Sequence, residues 1–227
     1  MPRYNGFYLI HKALRAMLYD TALCIQQTYF ANTDEAEIAL EKTETVLHAF
    51  EQHAHHEDEF INPALQVYEP ALAEQFENEH VEDHLLSNRL KNLINIYRNL
   101  NFSAERIEAG SAISKTWVEF MVFNLKHMAK EESVLNQALW KHYTDEEIIA
   151  LNERLVKSIP PHEMNMSAIW MIRSGNDNDL VTWLKGIKSS APEFIFQSLL
   201  TTVKNELPAY RSTNIVNAVT EEAAVIA

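Results

Sequence analysis

Across the first 142 residues, apolar side chains recur three and four positions apart in four long stretches. That spacing repeats one face of a 3.6-residue helix and does not suit a strand. The first stretch covers about residues 7–30, with Phe7, His11, Leu14, Leu18, Ala22, Ile25 and Tyr29 in line. The second opens on an Asn32-x-x-Glu35 start signal and runs to about residue 62, where Pro63 predicts a kink or an end. The third covers about residues 71–100, with Leu86, Leu90, Leu93 and Tyr97 on one face. The fourth covers about residues 104–142, with a stripe of Ile113, Trp117, Phe120, Asn124, His127, Glu131, Val134 and Ala138. Four helices, each roughly 35–55 Å long and joined by short connections, predict an all-α, up-down-up-down four-helix bundle. Only four glycines occur in 227 residues, too few for a fold rich in tight turns.

Past residue 142 the pattern shortens. Thr144-x-x-Glu147 is a capping box, and the helix it starts should end near the Pro160–Pro161 pair. Amphipathic segments follow at about 163–173, 177–187 and 192–206. The expected organisation is a bundle over 1–142, a helical extension packed on it over 143–210, and a loosely ordered tail over 211–227, where periodicity fades.

Charge narrows the partners. Lys and Arg number 19 against 32 Asp and Glu, a formal charge of −13. Nucleic acid and anionic membrane surfaces are poor matches, since both are held largely by Lys and Arg. A bound cation would offset part of the excess. The single cysteine, Cys24, excludes an internal disulfide and a thiolate metal site, and is read as a small buried hydrophobe. His11, Lys12 and Arg15 interrupt the N-terminal apolar stretch, so no signal-peptide core is expected. No apolar run is long enough to span a membrane, and the expected location is cytoplasmic.

Histidines carry the chemical signal. His127 and Glu131 lie four apart on the largely apolar stripe of the fourth stretch, so both point inward. A buried imidazole beside a buried carboxylate is costly unless paired or metal-bound. The segment HAHHEDEF, residues 53–60, repeats the spacing with His55 and Glu59. The first stretch offers His11, and the third His80 and His84. On a wheel of about 100° per residue, His80 falls about 80° from the centre of the apolar face and His84 about 120°. His80 is therefore the preferred ligand and His84 a further candidate. Six groups, His11, His55, Glu59, His80, His127 and Glu131, can hold two metal ions, with the carboxylates as bridges. Nitrogen and oxygen donors without thiolate suit iron, manganese or zinc.

The pattern resembles the hemerythrin family, in the branch called the hemerythrin HHE cation-binding domain. The residues that carry the resemblance are His11, His55 with Glu59 followed by Pro63, His80 in Asn-Glu-His, and His127 with Glu131 and Glu132. It covers about residues 7–142, and the segment after Pro160 resembles an extension found on some bacterial members. The resemblance implies a non-haem di-iron centre that binds or senses oxygen, nitric oxide or redox state. The oxygen-carrying members have five His, one Glu and one Asp, the last acid five residues after its His. Here that spacing is four and the acid is Glu. Two alternatives stay open: a di-iron oxidoreductase consuming peroxide or nitric oxide, and an iron-storage or metal-free helical interaction protein.

Overall fold

A computed structural model describes residues 3–221, and helix is the only regular structure among them. The elements are α1 (Tyr8–Gln27), α2 (Thr33–His56), a π-helical turn (Glu57–Ile61), α3 (Asn62–Tyr68), α4 (Pro70–Arg98), α5 (Ser103–Lys130), a second π-helical turn (Glu131–Leu135) and α6 (Asn136–His142). Then come α7 (Asp145–Ser158), α8 (Pro161–Ser174), α9 (Asp177–Ser190), α10 (Glu193–Glu206) and α11 (Ala209–Thr220). No helix among the described residues is long and apolar enough to cross a membrane.

Local chemistry sets the ends. Asn32 caps α2, its side chain accepting from the backbone N–H of Asp34 and Glu35. Thr144 and Glu147 form a reciprocal capping box on α7, as do Asn176 and Asp179 on α9. Pro70 and Pro161 stand in the first turns of α4 and α8, where a missing N–H costs nothing. Pro63 neither ends nor sharply breaks its helix. It follows a π turn closed by the N–H of Asn62 on the carbonyl of Glu57, after which α3 continues.

The second π turn shifts the register of the fourth stretch. Ile113, Trp117, Phe120, Asn124, His127 and Glu131 are buried as the periodicity predicts, but Val134 is 42% exposed and Leu135 takes the inward position. The N–H of Asn136 reaches back five residues to the carbonyl of Glu131, and the wide turn absorbs one extra residue. Strict α spacing therefore fails at that point. Tyr29 lies beyond the end of α1 and is exposed, and Cys24 is half-buried rather than buried.

The described residues fall into two compact units. In the first, residues 3–8 and 17–159, α4 packs along α5 and both α2 and α3 pack on α4. Its aromatic core includes Phe50 edge-on to Phe120 at 5.4 Å, beside Trp117. Tyr97 donates its hydroxyl to the carbonyl of Phe30 at 2.7 Å. Arg98 at the end of α4 spans Glu37 and Glu44 on α2. Part-exposed pairs of this kind fix register more than they stabilise. The expected boundary at residue 142 moves to 159, because Ile148 and Leu151 of α7 share an apolar cluster with Phe7, Leu65, Phe76 and Leu139.

The second unit comprises residues 9–16 and 160–221. Its core joins Ile172, Leu180, Leu184, Phe196, Val203 and Ile215, and Lys12 pairs with Asp179 at 2.5 Å. The loosely ordered tail expected over 211–227 is corrected in part. Residues 209–220 form α11, held by burial of Ser212, Ile215 and Val219, a short stripe that fading periodicity concealed. Residues 222–227 lie outside the described residues.

Candidate metal centre

Two π turns place two buried carboxylates. Each turn opens on a glutamate, Glu57 after α2 and Glu131 after α5, and these are 2% and 0% exposed. Four residues before each lies a histidine: His53 on α2 and His127 on α5. α4 adds His80, also buried.

These side chains converge. Glu57, His80, His127 and Glu131 offer four ligand atoms all within 4.8 Å of one another. His53, Glu57 and Glu131 likewise offer three within that distance of one another. The two groups share both carboxylates. His127 Nε2 lies 3.0 Å from Glu131 Oε1, His80 Nε2 3.3 Å from Glu57 Oε2 and 3.9 Å from Glu131 Oε1, and His53 Nε2 3.1 Å from Glu57 Oε1. Ligand atoms bound at about 2.1 Å to a common ion are separated from one another by about 3–4 Å.

The orientation of the imidazoles provides a test of fit. His80 Nε2 and His127 Nε2 are buried and make no hydrogen bond, despite the carboxylate oxygens beside them. Their other nitrogens are held. His80 Nδ1–H donates to Asp58 Oδ1 at 2.7 Å, and His127 Nδ1–H donates to Glu79 Oε2 at 2.9 Å. A ring anchored at Nδ1 on a carboxylate with Nε2 directed into a buried cluster has the form of a metal-ligating histidine with its outer partner. The donor set is nitrogen and oxygen only, and fits iron, manganese or zinc.

Electrostatics follow from this packing. For His80, burial works to lower the pKa, but Asp58 and Glu57 override it and hold the imidazole up to about 10. For His127, burial is likewise overridden, by Glu131, Glu57 and Glu79, and the value rises to about 9. Glu79 is pulled below the usual carboxylate range: burial opposes this, and Lys130 and His127 prevail. Asp83, buried near these histidines and accepting from Asn124 at 2.6 Å, is pushed up by burial.

One expected pair is turned outward. His55 and Glu59 are 63% and 53% exposed and face each other at 3.5 Å on the surface, and the inward pair is His53 with Glu57. The buried stripe of α2 is Thr43, Val46, Leu47, Phe50 and Ala54. At about 100° per residue, His53 lies about 60° from Phe50 and His55 about 140°. HAHHEDEF contains both His-x-x-x-Glu units, and the apolar wheel of α2 separates them where spacing alone does not.

His80 is buried and His84 exposed on α4. His11 is fully buried on α1, within the stretch that groups with the second unit. His142 stacks on Tyr68 and meets Glu69 at 3.0 Å, away from the cluster. Nothing in the periodicity points to Asp58 or Glu79, each a part-exposed carboxylate that reaches back to a buried ring. Glu77, three residues before His80, is exposed, so the Glu-x-x-His arrangement of ferritin-like sites is not built on α4. Comparison with known protein families, with curated proteins and with solved structures finds no match for this chain.

Proposed function

We propose that this chain holds a pair of metal ions, iron in the cell, inside an up-down-up-down four-helix bundle of the hemerythrin kind, and that the pair binds or senses oxygen, nitric oxide or redox state. The observation that supports this most directly is the overlap of two ligand groups on Glu57 and Glu131. Glu57 and Glu131, common to both groups, would be within reach of either of two neighbouring ions. His80 and His127 are assigned to one ion and His53 to the other.

Iron(II) held by these residues would supply the electrons and Lewis acidity that a small diatomic ligand needs. The protein's part is electrostatic and geometric. Glu57 and Glu131 would offer their carboxylates from buried positions, where an uncompensated charge costs several kcal/mol. Asp58 and Glu79 keep the proton on Nδ1 and leave Nε2 free to ligate. Phe76 edge-on and Phe123 face-on, 5.8 and 6.0 Å from the ring of His127, hold that ring in one plane.

Anaerobic loading with iron(II), metal analysis and an optical spectrum before and after admission of air test this reading. The expected outcome is two equivalents per chain and new near-ultraviolet absorption on oxidation. Saturation at one equivalent defeats the paired reading, and no uptake defeats both.

A further inference from the structure

Asp58 and Glu79 are part-exposed acids that each meet a buried histidine of the cluster. Asp58 is the second residue of the first π turn, 39% exposed, yet its Oδ1 receives the Nδ1–H of buried His80. The same oxygen receives the side-chain amide of Asn62, one turn on, at 2.7 Å. Glu79 is one residue before His80 on α4 and reaches α5 instead, where it receives the Nδ1–H of His127 and is clamped by Lys130. Lys130 in turn lies over the ring of Phe76, 5.0 Å from its centroid. Each imidazole therefore has its own carboxylate, and each carboxylate has its own anchor.

We propose that Asp58 and Glu79 are the positioning residues of the metal ion held by His80 and His127. They fix the Nδ1–H tautomer, aim Nε2 at the ion and raise the donor strength of both rings. This rests on the metal reading above and deepens it, since it assigns roles to two residues that do not touch the ion. The chemistry is general: a ligating imidazole whose second nitrogen donates to a carboxylate binds more tightly and in one orientation, and loss of that partner typically weakens metal binding 10–100-fold. The anchors differ in charge. Asn62 leaves the negative charge of Asp58 intact, whereas Lys130 offsets that of Glu79. Asp58 is therefore the stronger of the two influences, and its loss should weaken binding more.

The test uses the full chain and zinc as probe. Zinc affinity is measured by competition with a chromophoric chelator for the wild type, Asp58→Ala, Asp58→Asn and Glu79→Gln. The tautomers of the histidines are read by long-range nitrogen–proton correlation in the zinc-loaded protein. The expected result is a 10–100-fold loss for Asp58→Ala, partial recovery in Asp58→Asn, whose amide oxygen still accepts, and a smaller loss for Glu79→Gln. In the wild type, Nδ1 of His80 and His127 carries the proton. Full affinity in Asp58→Ala and Glu79→Gln, or a metal on Nδ1, overturns the positioning role while leaving the metal reading intact. Absence of zinc uptake by the wild type overturns both. Circular dichroism of each variant separates loss of metal from loss of fold.

Discussion

The rings of His80 and His127 meet edge to face with their centroids 5.0 Å apart, brought together from α4 and α5. Each ring presents a buried Nε2 to carboxylate, His80 to Glu57 and Glu131 and His127 to Glu131. Two imidazoles in contact, both tending to hold protons, repel one another unless carboxylates or a metal intervene. The expected consequences can be measured.

The register of α2 gives the sharpest contrast. His53→Ala and Glu57→Ala are expected to lower metal content or affinity by at least about tenfold, while His55→Ala and Glu59→Ala leave it within about twofold. Metal analysis after dialysis against excess iron(II) or zinc distinguishes the pairs. Equal loss from the outward pair contradicts the assignment.

On α4 the contrast lies one turn apart. His80→Ala should remove or severely weaken one metal ion, whereas His84→Ala, at an exposed position, should change metal content little. If both variants lose metal alike, the site has a fifth histidine and His84 must be drawn inward on loading.

Protonation gives a third test. Ligation needs neutral imidazole, and in the metal-free protein His80 and His127 hold their protons to about 10 and about 9. Zinc uptake at pH 7 in weak buffer should therefore release roughly two protons per chain from these rings. An indicator dye reads this directly, and release near zero contradicts it. Stability is linked with a definite sign. Both folded values lie above the ordinary 6.5, so the contribution is fully present below about pH 6.5 and is lost as the pH rises through about 9 and 10. The denaturant midpoint of the metal-free protein should fall between pH 7 and pH 10, by more in the wild type than in His127→Gln.

Gly110→Ala tests the packing of α5 on the segment after α1. A helical Gly→Ala change ordinarily stabilises by about 1 kcal/mol. Here the new Cβ would overlap the ring of Phe30, which is 7% exposed and held edge-on to Tyr97. Overpacking typically costs about 1–3 kcal/mol and outweighs the helical gain, so Tm should fall by a few degrees. An unchanged or raised Tm would show that Phe30 moves aside freely.

Much of this architecture was legible from residues alone. The long helices follow from three-and-four spacing, and His127 with Glu131 is visible because both interrupt an apolar stripe. Strict α spacing puts Val134 inward, but a π turn leaves no mark on the sequence until the register has already shifted to Leu135. Spacing points to His55 and Glu59, but the same spacing occurs two residues earlier in His53 and Glu57, and the wheel through Phe50 turns that pair inward. Asp58 and Glu79 carry no pattern at all. Their role depends on which ring they meet across a helix interface, and local sequence does not encode that.

Each π turn amounts to one residue more than its helix needs, inserted where Glu57 or Glu131 begins. The inward faces on either side of it are already in phase with that residue set aside. Deleting Val134 would let α5 and α6 merge into one ordinary helix with Leu135 still facing the core, and would take from Glu131 the wide turn that aims it. Side-chain convergence and scaffold are thus separable by a change in chain length: a one-residue deletion is expected to disperse the proposed ligand set while the helical faces on either side keep their register.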